Sequence, residues 1–170
     1  MANKKSEKFT ASTGLEVTIK PVDAMFLQKV INSVPKPKRP TYTAVTASGR
    51  REEHLLDPES AKSNPADMEK WAAFVEERAN ADRVQNERVM NALFYSGTEC
   101  EIPNDGWREK WEFLGVAIPE NPNELRAFYL SSELPSKDAV DLMSAILRMT
   151  GVDEETLKNA EDAFRDTVRQ

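Results

Sequence analysis

The stretch of residues 64–97 limits the fold most, because it reads as one helix of about 32 residues and roughly 48 Å. Asn64 can cap free backbone amides, and Pro65 has the fixed φ angle favoured at the first helical position. Asp67 adds negative charge to the first turn, and Gly97 is a typical stop. The sequence therefore predicts a mainly α fold arranged around a long central helix.

The apolar face of this helix is present at both ends and interrupted between them. At about 100° per residue, one stripe carries Met68, Trp71, Ala72, Val75 and Ala79, and later Val89, Met90 and Leu93. Asp82, Arg83 and Asn86 lie where the stripe would continue. Because burying unpaired charge is costly, we expect an exposed middle. The first half, with Trp71 and Val75, should pack against the N-terminal elements, and the second half against the helices that follow.

Length and composition are those of a small globular protein. The chain has 170 residues, of which 39% are hydrophobic and 31% charged, enough for one domain, or for a domain plus an extended arm. No apolar run approaches the roughly 18 residues of a membrane span, and the first residues lack the apolar segment of a signal peptide. One cysteine excludes an internal disulfide. We expect the protein to stay in the cytoplasm where it is made.

The net charge of −6 hides an uneven distribution. Residues 1–51 carry ten Lys or Arg and three acids, whereas residues 52–170 carry 13 basic and 26 acidic side chains. A basic arm joined to an acidic body suits self-association or two different partners. The acidic overall balance argues against nucleic acid as the main ligand.

Three regions follow from this pattern: a disordered tail over residues 1–13, an N-terminal arm over 14–63 and a helical body over 64–170. Within the arm, residues 15–20 alternate apolar and polar side chains and predict a strand. Asp23 then opens a helix. We expect the basic arm to contribute to binding more than to the stability of the body.

The rest of the arm begins with three prolines within residues 34–40, which favour a stiff extended spacer. Residues 41–47 are rich in β-branched side chains and predict a strand. It could pair with the first strand or add to the sheet of a partner. Residues 48–63 predict a loop with a turn at Asp57-Pro58.

Past the long helix, start and stop signals recur at short intervals. The starts are the Asn-Asp pair before Trp107, Asn121 before Pro122, Ser136, and Asp153. The stops are Gly115 and Gly151. The last helix has an apolar face of Leu157, Ala160, Phe164 and Val168. Four short helices with tight loops predict a compact bundle.

The chain offers few groups for catalysis. His54 is the only histidine, and without a second base we interpret it as a loop residue without chemistry. Cys100 lies between Glu99 and Glu101, which disfavour its thiolate. The scattered carboxylates match neither zinc nor calcium-loop spacing. We expect no catalytic residue, no cofactor and no metal site, and a protein that is not an enzyme.

The candidate protein-binding residues form a basic group and an aromatic pair. The basic group is Lys36, Lys38, Arg39, Arg50 and Arg51, with Tyr42 as the aromatic residue among them. Since single-stranded nucleic acids bind to stacking aromatics, this composition favours docking onto a neighbouring subunit. Trp107 and Trp111, four residues apart, either pack in the core or, if exposed, anchor an interface.

Several segments follow one another in a characteristic order: LEVTIKPVD, a Pro-rich segment after NSV, a DP turn before the charged helix, IPNDGWREKWEFLGV, NELRAFYL and TGVDEETLKNAEDAF. Together, from about residue 15 to residue 164, they resemble small proteins encoded among the tail genes of tailed bacteriophages. Many of those are described as tail assembly chaperones or as uncharacterised phage proteins. The resemblance implies a partner among the tail proteins, such as the tape-measure or tail-tube protein, and implies no catalytic residues.

The function implied by the resemblance is that of a tail assembly chaperone in the cytoplasm of the infected host. Such a protein holds an aggregation-prone tail component and releases it as the tail forms. Two alternatives remain open: a structural or adaptor protein of the virion, and a host-directed phage regulator that binds one bacterial protein. If this protein is abundant in mass spectra of purified phage particles, the structural alternative is favoured.

Overall fold

The computed structural model describes residues 6–153, 155, 156, 158–160 and 162. The strands are β1 (Glu7–Thr10), β2 (Glu16–Ile19), β3 (Thr41–Val45), β4 (Arg51–Leu55) and β5 (Thr98–Glu99). The helices are α1 (Ala24–Asn32), α2 (Pro58–Ala61), α3 (Pro65–Gly97), α4 (Trp107–Phe113), α5 (Pro122–Glu133) and α6 (Ser136–Thr150). The fold is mainly helical, as predicted, with a small sheet near the N-terminus.

The described residues divide into two units. The first contains residues up to 33 and from 85 onward, and the second is Val34–Val84. Helix α3 contributes its residues 65–84 to the second unit and 85–97 to the first. This division differs from the predicted boundary between an arm and a body at residue 63. The physical reason is that β2 and α1 share one hydrophobic core with α5 and α6.

The three-stranded sheet of the first unit has the order β1-β2-β5 and is antiparallel throughout. The predicted strand over residues 15–20 is confirmed as β2, in which Val17 and Ile19 are 0% and 2% exposed while Glu16 faces solvent. The predicted disorder of residues 1–13 is wrong for residues 7–10, which form β1. Residue-by-residue pairing with β2 and partial burial of Phe9 hold β1 in place. Residues 1–5 lie outside the described residues.

The predicted long helix is confirmed as α3, which has 33 residues. Asn64 Oδ1 accepts a hydrogen bond from Ala66 N at 3.0 Å. In the second half, Leu93 is fully buried in the core, as expected. In the first half, Val75 is 48% exposed, so the packing predicted for it is wrong. The longest exposed run of the helix middle covers residues 75–80. Of the three residues predicted to be exposed, Arg83 is exposed, whereas Asp82 and Asn86 are half-buried.

The charge of Asp82, on a side chain that is 44% exposed, has two basic partners. Lys36 Nζ lies 3.1 Å from Asp82 Oδ1, and Arg78 Nε lies 3.9 Å from Asp82 Oδ2. An ion pair offsets part of the desolvation of a half-buried carboxylate. The spacing of residues along one helix could not reveal a partner 46 positions away.

Gly97 is needed where α3 ends because other chain segments approach it closely. A Cβ atom there would lie 2.7 Å from Cγ2 of Ile146 and 2.9 Å from Cγ2 of Val22. Lys20 N also donates a hydrogen bond to Gly97 O at 2.8 Å. The predicted stop is therefore correct in position, and its physical role is close packing against α6 and the β2–α1 connection.

The predicted caps are confirmed for α1 and α5 but are wrong for α4 and α6, which begin after Gly106 and Pro135 without a side-chain cap. Asp23 Oδ1 accepts from Met25 N at 2.7 Å at the start of α1, and Asn121 Oδ1 accepts from Asn123 N at 2.9 Å at the start of α5. Gly151, with φ of 88°, ends α6. These local signals depend only on nearby residues, which is why the sequence reveals them.

The predicted last helix is described only in part. Residues 155, 156, 158–160 and 162 are helical, and Asp153 Oδ1 accepts from Thr156 N at 2.8 Å, as expected of a cap. The predicted face residues Leu157, Phe164 and Val168 lie outside the described residues.

The second unit contains a two-stranded antiparallel sheet, β3-β4. The predicted strand over residues 41–47 is confirmed as β3, but its partner is β4 rather than β2. The prediction of a loop over residues 48–63 is wrong for β4 and for α2. The sequence of β4, REEHL, lacks apolar alternation because all five of its residues are exposed.

Candidate functional site

An apolar groove of about 630 Å3 lies between α3 and α5 in the first unit. Its lining is Phe26, Asn91, Ala92, Tyr95, Pro119, Glu124, Ala127, Phe128 and Ser131. Ala92 and Ala127 are buried, whereas Phe26 and Tyr95 are 37% and 38% exposed. Small buried side chains with partly exposed rings beside them make a concave surface that suits an apolar ligand. We call this surface the α3–α5 groove.

The spacing between the two helices is held by Arg126. Its side chain donates to Tyr95 O at 2.9 Å, to Thr98 Oγ1 at 3.1 Å and to Asn123 Oδ1 at 3.0 Å. The first two bonds join α5 to the end of α3 and the start of β5, and the third lies within α5. Since several donors of one planar guanidinium are used together, the geometry is well defined, and the groove is pre-formed.

One wall of the groove, Phe128, is supported from behind by the two tryptophans of α4. The ring centroids of Trp107 and Trp111 lie 6.2 Å and 5.5 Å from that of Phe128. Trp111 Nε1 donates to Glu133 Oε1 at 2.5 Å, and Trp107 Nε1 donates to Pro103 O at 3.0 Å. Both indole N–H groups thus have partners, as buried tryptophans require.

The structure places Trp107 in the core, where it is 4% exposed, rather than on a surface that a partner could reach. Trp111 is half-buried and packs against the same core. Of the two predicted roles, core packing or interface anchoring, core packing is therefore correct for Trp107 and partly correct for Trp111. Leu114, one turn further on, is 59% exposed, and Phe113 beside it is 89% exposed.

Two of the basic candidates have structural partners inside the second unit. Lys36 pairs with Asp82, as described above. Arg39 Nε donates to Leu56 O at 2.6 Å, and its guanidinium carbon lies 5.6 Å from the ring centre of Trp71. Arg39 thus helps to hold the second unit together, since the carbonyl bond and the ring contact use both its edge and its face.

The other candidates of the second unit lie on or near its two-stranded sheet. Tyr42 pairs across the strands with His54, with ring centroids 5.7 Å apart. His54 therefore belongs to a strand rather than to the predicted loop. Lys38, Arg50 and Arg51 are exposed. Six of the eight predicted binding residues thus belong to the second unit, and the two tryptophans belong to the first.

A second cavity, of about 710 Å3, lies beside the outer face of the three-stranded sheet. Carboxylates line it from the sheet, through Glu16 and Glu99, and from the segment after β5, through Glu101 and Asp105. Lys8 Nζ lies 3.2 Å from Glu16 Oε2, and Lys20 forms an ion pair with Glu99. The sheet side of this cavity is thus largely neutralised by neighbouring lysines.

Cys100 also lines this second cavity. Burial raises the pKa of its thiol, and the nearby charge of Arg126 opposes the shift. The predicted suppression of the thiolate is confirmed in direction. Its main cause is desolvation of the sulfur, whereas the sequence pointed to the flanking glutamates.

Over the described residues, no three His, Cys, Asp or Glu side chains are grouped so that they could hold a metal ion. Within the same part of the chain, none of the helices combines the length and apolar character needed to cross a membrane.

The α3–α5 groove was missed by the sequence analysis, although its components carry a visible signal. Asn91 and Tyr95 on α3, and Glu124, Phe128 and Ser131 on α5, each follow helical spacing. The sequence shows each face separately. It does not show that the two faces lie side by side, because that depends on Arg126 and on contacts distant in the chain. No protein-family model, curated protein or solved structure matches this chain.

Proposed function

We propose that the protein is a tail assembly chaperone of a tailed bacteriophage, and that its α3–α5 groove binds an apolar segment of a tail protein. The observation that carries the proposal is the pre-formed groove with the accessible rings of Phe26 and Tyr95. The resemblance of the chain to proteins of tail gene clusters supplies the biological setting. The tape-measure protein, as the aggregation-prone tail component, is the partner we favour.

The shape of the groove favours an amphipathic helix as the bound segment. Two helices with small residues between them form a trough into which apolar side chains at positions i, i+3 and i+4 of a third helix can insert. Glu124 is the charged residue among those that line the groove. A bound helix with a basic residue beside its apolar face would therefore be preferred.

The modest size of the α3–α5 groove is suited to reversible binding of a tail protein. The groove offers a few anchors rather than an extensive apolar interface, and affinity depends on the quality of such anchors more than on area. A chaperone must release its client when the tail assembles, so moderate affinity suits the role.

The test is co-expression of the chain with the tape-measure protein of the same phage, measuring how much of that protein stays soluble. Phe26→Glu places a charge in the groove and should abolish the gain in solubility. Met25→Glu is the matched control, because Met25 is the neighbouring residue on α1, is 69% exposed and does not line the groove. It should behave as the unmodified chain does.

Equal loss of solubility with both variants, or with neither, would contradict the groove as the binding site. Mass spectrometry of purified particles addresses the role itself. A chaperone should be absent from mature particles, whereas stoichiometric retention would support the structural alternative.

A further inference from the structure

Among the described residues, the edge of strand β3 opposite β4 pairs with no other strand, and its hydrogen-bonding groups can be assigned. Leu56 N donates to Pro40 O at 2.8 Å, and Thr46 N donates to Arg50 O at 2.8 Å. With the register Thr43↔Glu53, these bonds place the even-numbered residues of β3 in the hydrogen-bonded pairs with β4. Because such pairs alternate along an antiparallel ladder, the N–H and C=O groups of residues 41, 43 and 45 point away from β4.

This edge differs from the opposite edge of the same sheet in its charge. Strand β4 carries the charged side chains of Arg51, Glu52 and Glu53, whereas β3, TYTAV, carries none. Native proteins commonly protect a free edge with charged residues, prolines or bulges. The edge of β4 is protected in this way, and that of β3 is not. Val45 is also 67% exposed on it.

The geometry points to β3 as a dimerisation edge, at which a second copy of the chain adds its own β3 in the antiparallel direction about a two-fold axis through Thr43. Thr43 then lies opposite Thr43 of the second copy, and Thr41 lies opposite Val45 of the second copy. These are the residues with outward backbone groups, so each pair exchanges two N–H···O bonds. The result is a continuous four-stranded sheet with the order β4-β3-β3-β4.

The side chains of β3 are compatible with this β3–β3 register, whereas those of β4 are incompatible with a β4–β4 pairing at the other edge. In the proposed pairing, Thr faces Thr and exposed Val45 gains a β-branched neighbour, both favourable cross-strand pairs. A two-fold pairing of β4 edges centred on Glu53 would place two glutamates opposite each other. A two-stranded sheet is also marginal in water, and four strands are more stable. A second copy, with the same uncharged edge, therefore fits better than a charged strand.

The proposal goes beyond the proposed function, and its test needs no tail protein. Thr43→Pro removes the outward N–H at the two-fold axis and leaves the ladder with β4 intact, since a proline is tolerated where the N–H faces outward. The matched control is Glu53→Pro, at the same level of the sheet on β4, where the N–H also faces outward. Sedimentation velocity over a range of concentrations should show dimers for the unmodified chain and for Glu53→Pro, and loss of the dimer for Thr43→Pro.

Amide hydrogen exchange of the unmodified chain tests the register directly. Exchange at the N–H groups of residues 41, 43 and 45 should slow as the concentration rises, while that of Glu53 stays unchanged. A monomer at every concentration would overturn the proposal and leave the edge for a strand of another protein. A dimer that survives Thr43→Pro would also overturn it. If both proline variants are monomeric, amide exchange at Thr43 of the unmodified chain decides. Exchange that does not depend on concentration rejects this edge, and exchange that slows as the concentration rises supports it.

Discussion

Ser12 donates two hydrogen bonds to the same carboxylate oxygen of Asp138, 126 positions later in the chain, from its backbone N at 2.9 Å and from its Oγ at 2.6 Å. Asp138 is 7% exposed and lies in the first turn of α6. A buried carboxylate is costly unless it is hydrogen-bonded. The turn between β1 and β2 is thereby tied to the C-terminal part of the core.

Replacing this hydroxyl should destabilise the first unit. Hydrogen bonds to charged groups are worth about 1.5–3 kcal/mol, so Ser12→Ala should lower the free energy of unfolding by about that amount, measured by urea denaturation. Thr13→Ala is the matched control, because Thr13 lies in the same turn and is exposed like Ser12, whereas the bonds to Asp138 come from Ser12; it should change the free energy of unfolding little. Equal effects of the two substitutions would show that the Ser12 hydroxyl contributes nothing specific.

Strand β2, helix α1 and the segment between them belong to the core, so the expectation that residues 1–51 contribute little to stability is wrong for this part. Val17, Ile19, Val22 and Leu27 are all at most 7% exposed. Burying each such side chain stabilises by about 1.5–3 kcal/mol, and a whole domain is stable by only about 5–15 kcal/mol. A variant that lacks residues 1–33 should therefore lose its cooperative thermal transition in circular dichroism. A sharp melt in that variant would show that the remaining helices form a core alone.

The two tryptophans of α4 should differ in their contribution to stability. Trp107 is buried and Trp111 only half-buried, so Trp107→Ala should cost about 3–5 kcal/mol, as for other large buried side chains, and Trp111→Ala clearly less. Acrylamide quenching provides a second measurement. In variants that keep only one tryptophan, with the others replaced by Phe, Trp107 fluorescence should be the better protected. The reverse order would place Trp111, and not Trp107, in the core.

The close approach at Gly97 predicts a coupled pair of substitutions. Gly97→Ala introduces a Cβ atom that would lie 2.9 Å from Cγ2 of Val22, and overpacking of this kind costs about 1–3 kcal/mol. Val22→Ala removes that methyl group. The double variant should therefore be more stable than the sum of the two single effects predicts, as contacting residues are not additive. Strict additivity in denaturant unfolding would mean that the contact with Ile146 alone decides the cost.

Local signals made most of the helices predictable from the sequence. Asp23, Asn64 and Asn121 each accept a backbone N–H two residues on, and such capping depends only on neighbours in the chain. The strand β2 was predictable for the same reason, since its alternation of buried and exposed residues is a local pattern.

Two kinds of feature were not predictable: a strand without alternation, and contacts between distant residues. Strand β4 follows β3 in a hairpin, but all five of its residues are exposed, so no alternation of buried and exposed residues marks it. The α3–α5 groove depends on Arg126, which joins helices whose order in space the sequence does not reveal. Residues 14–33 were assigned to an arm because of the charge and proline content of the N-terminal region. These two signals do not reveal that the apolar side chains of residues 14–33 join the core.

Stability and thiol reactivity should both depend on pH through Cys100. Burial raises the pKa of its thiol above the ordinary value of 9.0, so the folded state holds the proton more tightly than the unfolded state does. The stability associated with this proton is complete below the ordinary pKa and is lost as the pH rises through the folded-state pKa. Alkylation by iodoacetamide should accordingly reach half its maximal rate at a higher pH in the native chain than in the chain unfolded in urea. In Cys100→Ser, the alkaline loss of stability should be smaller. A native thiol that reacts at or below the pH at which the unfolded one does would show that solvent reaches the sulfur freely.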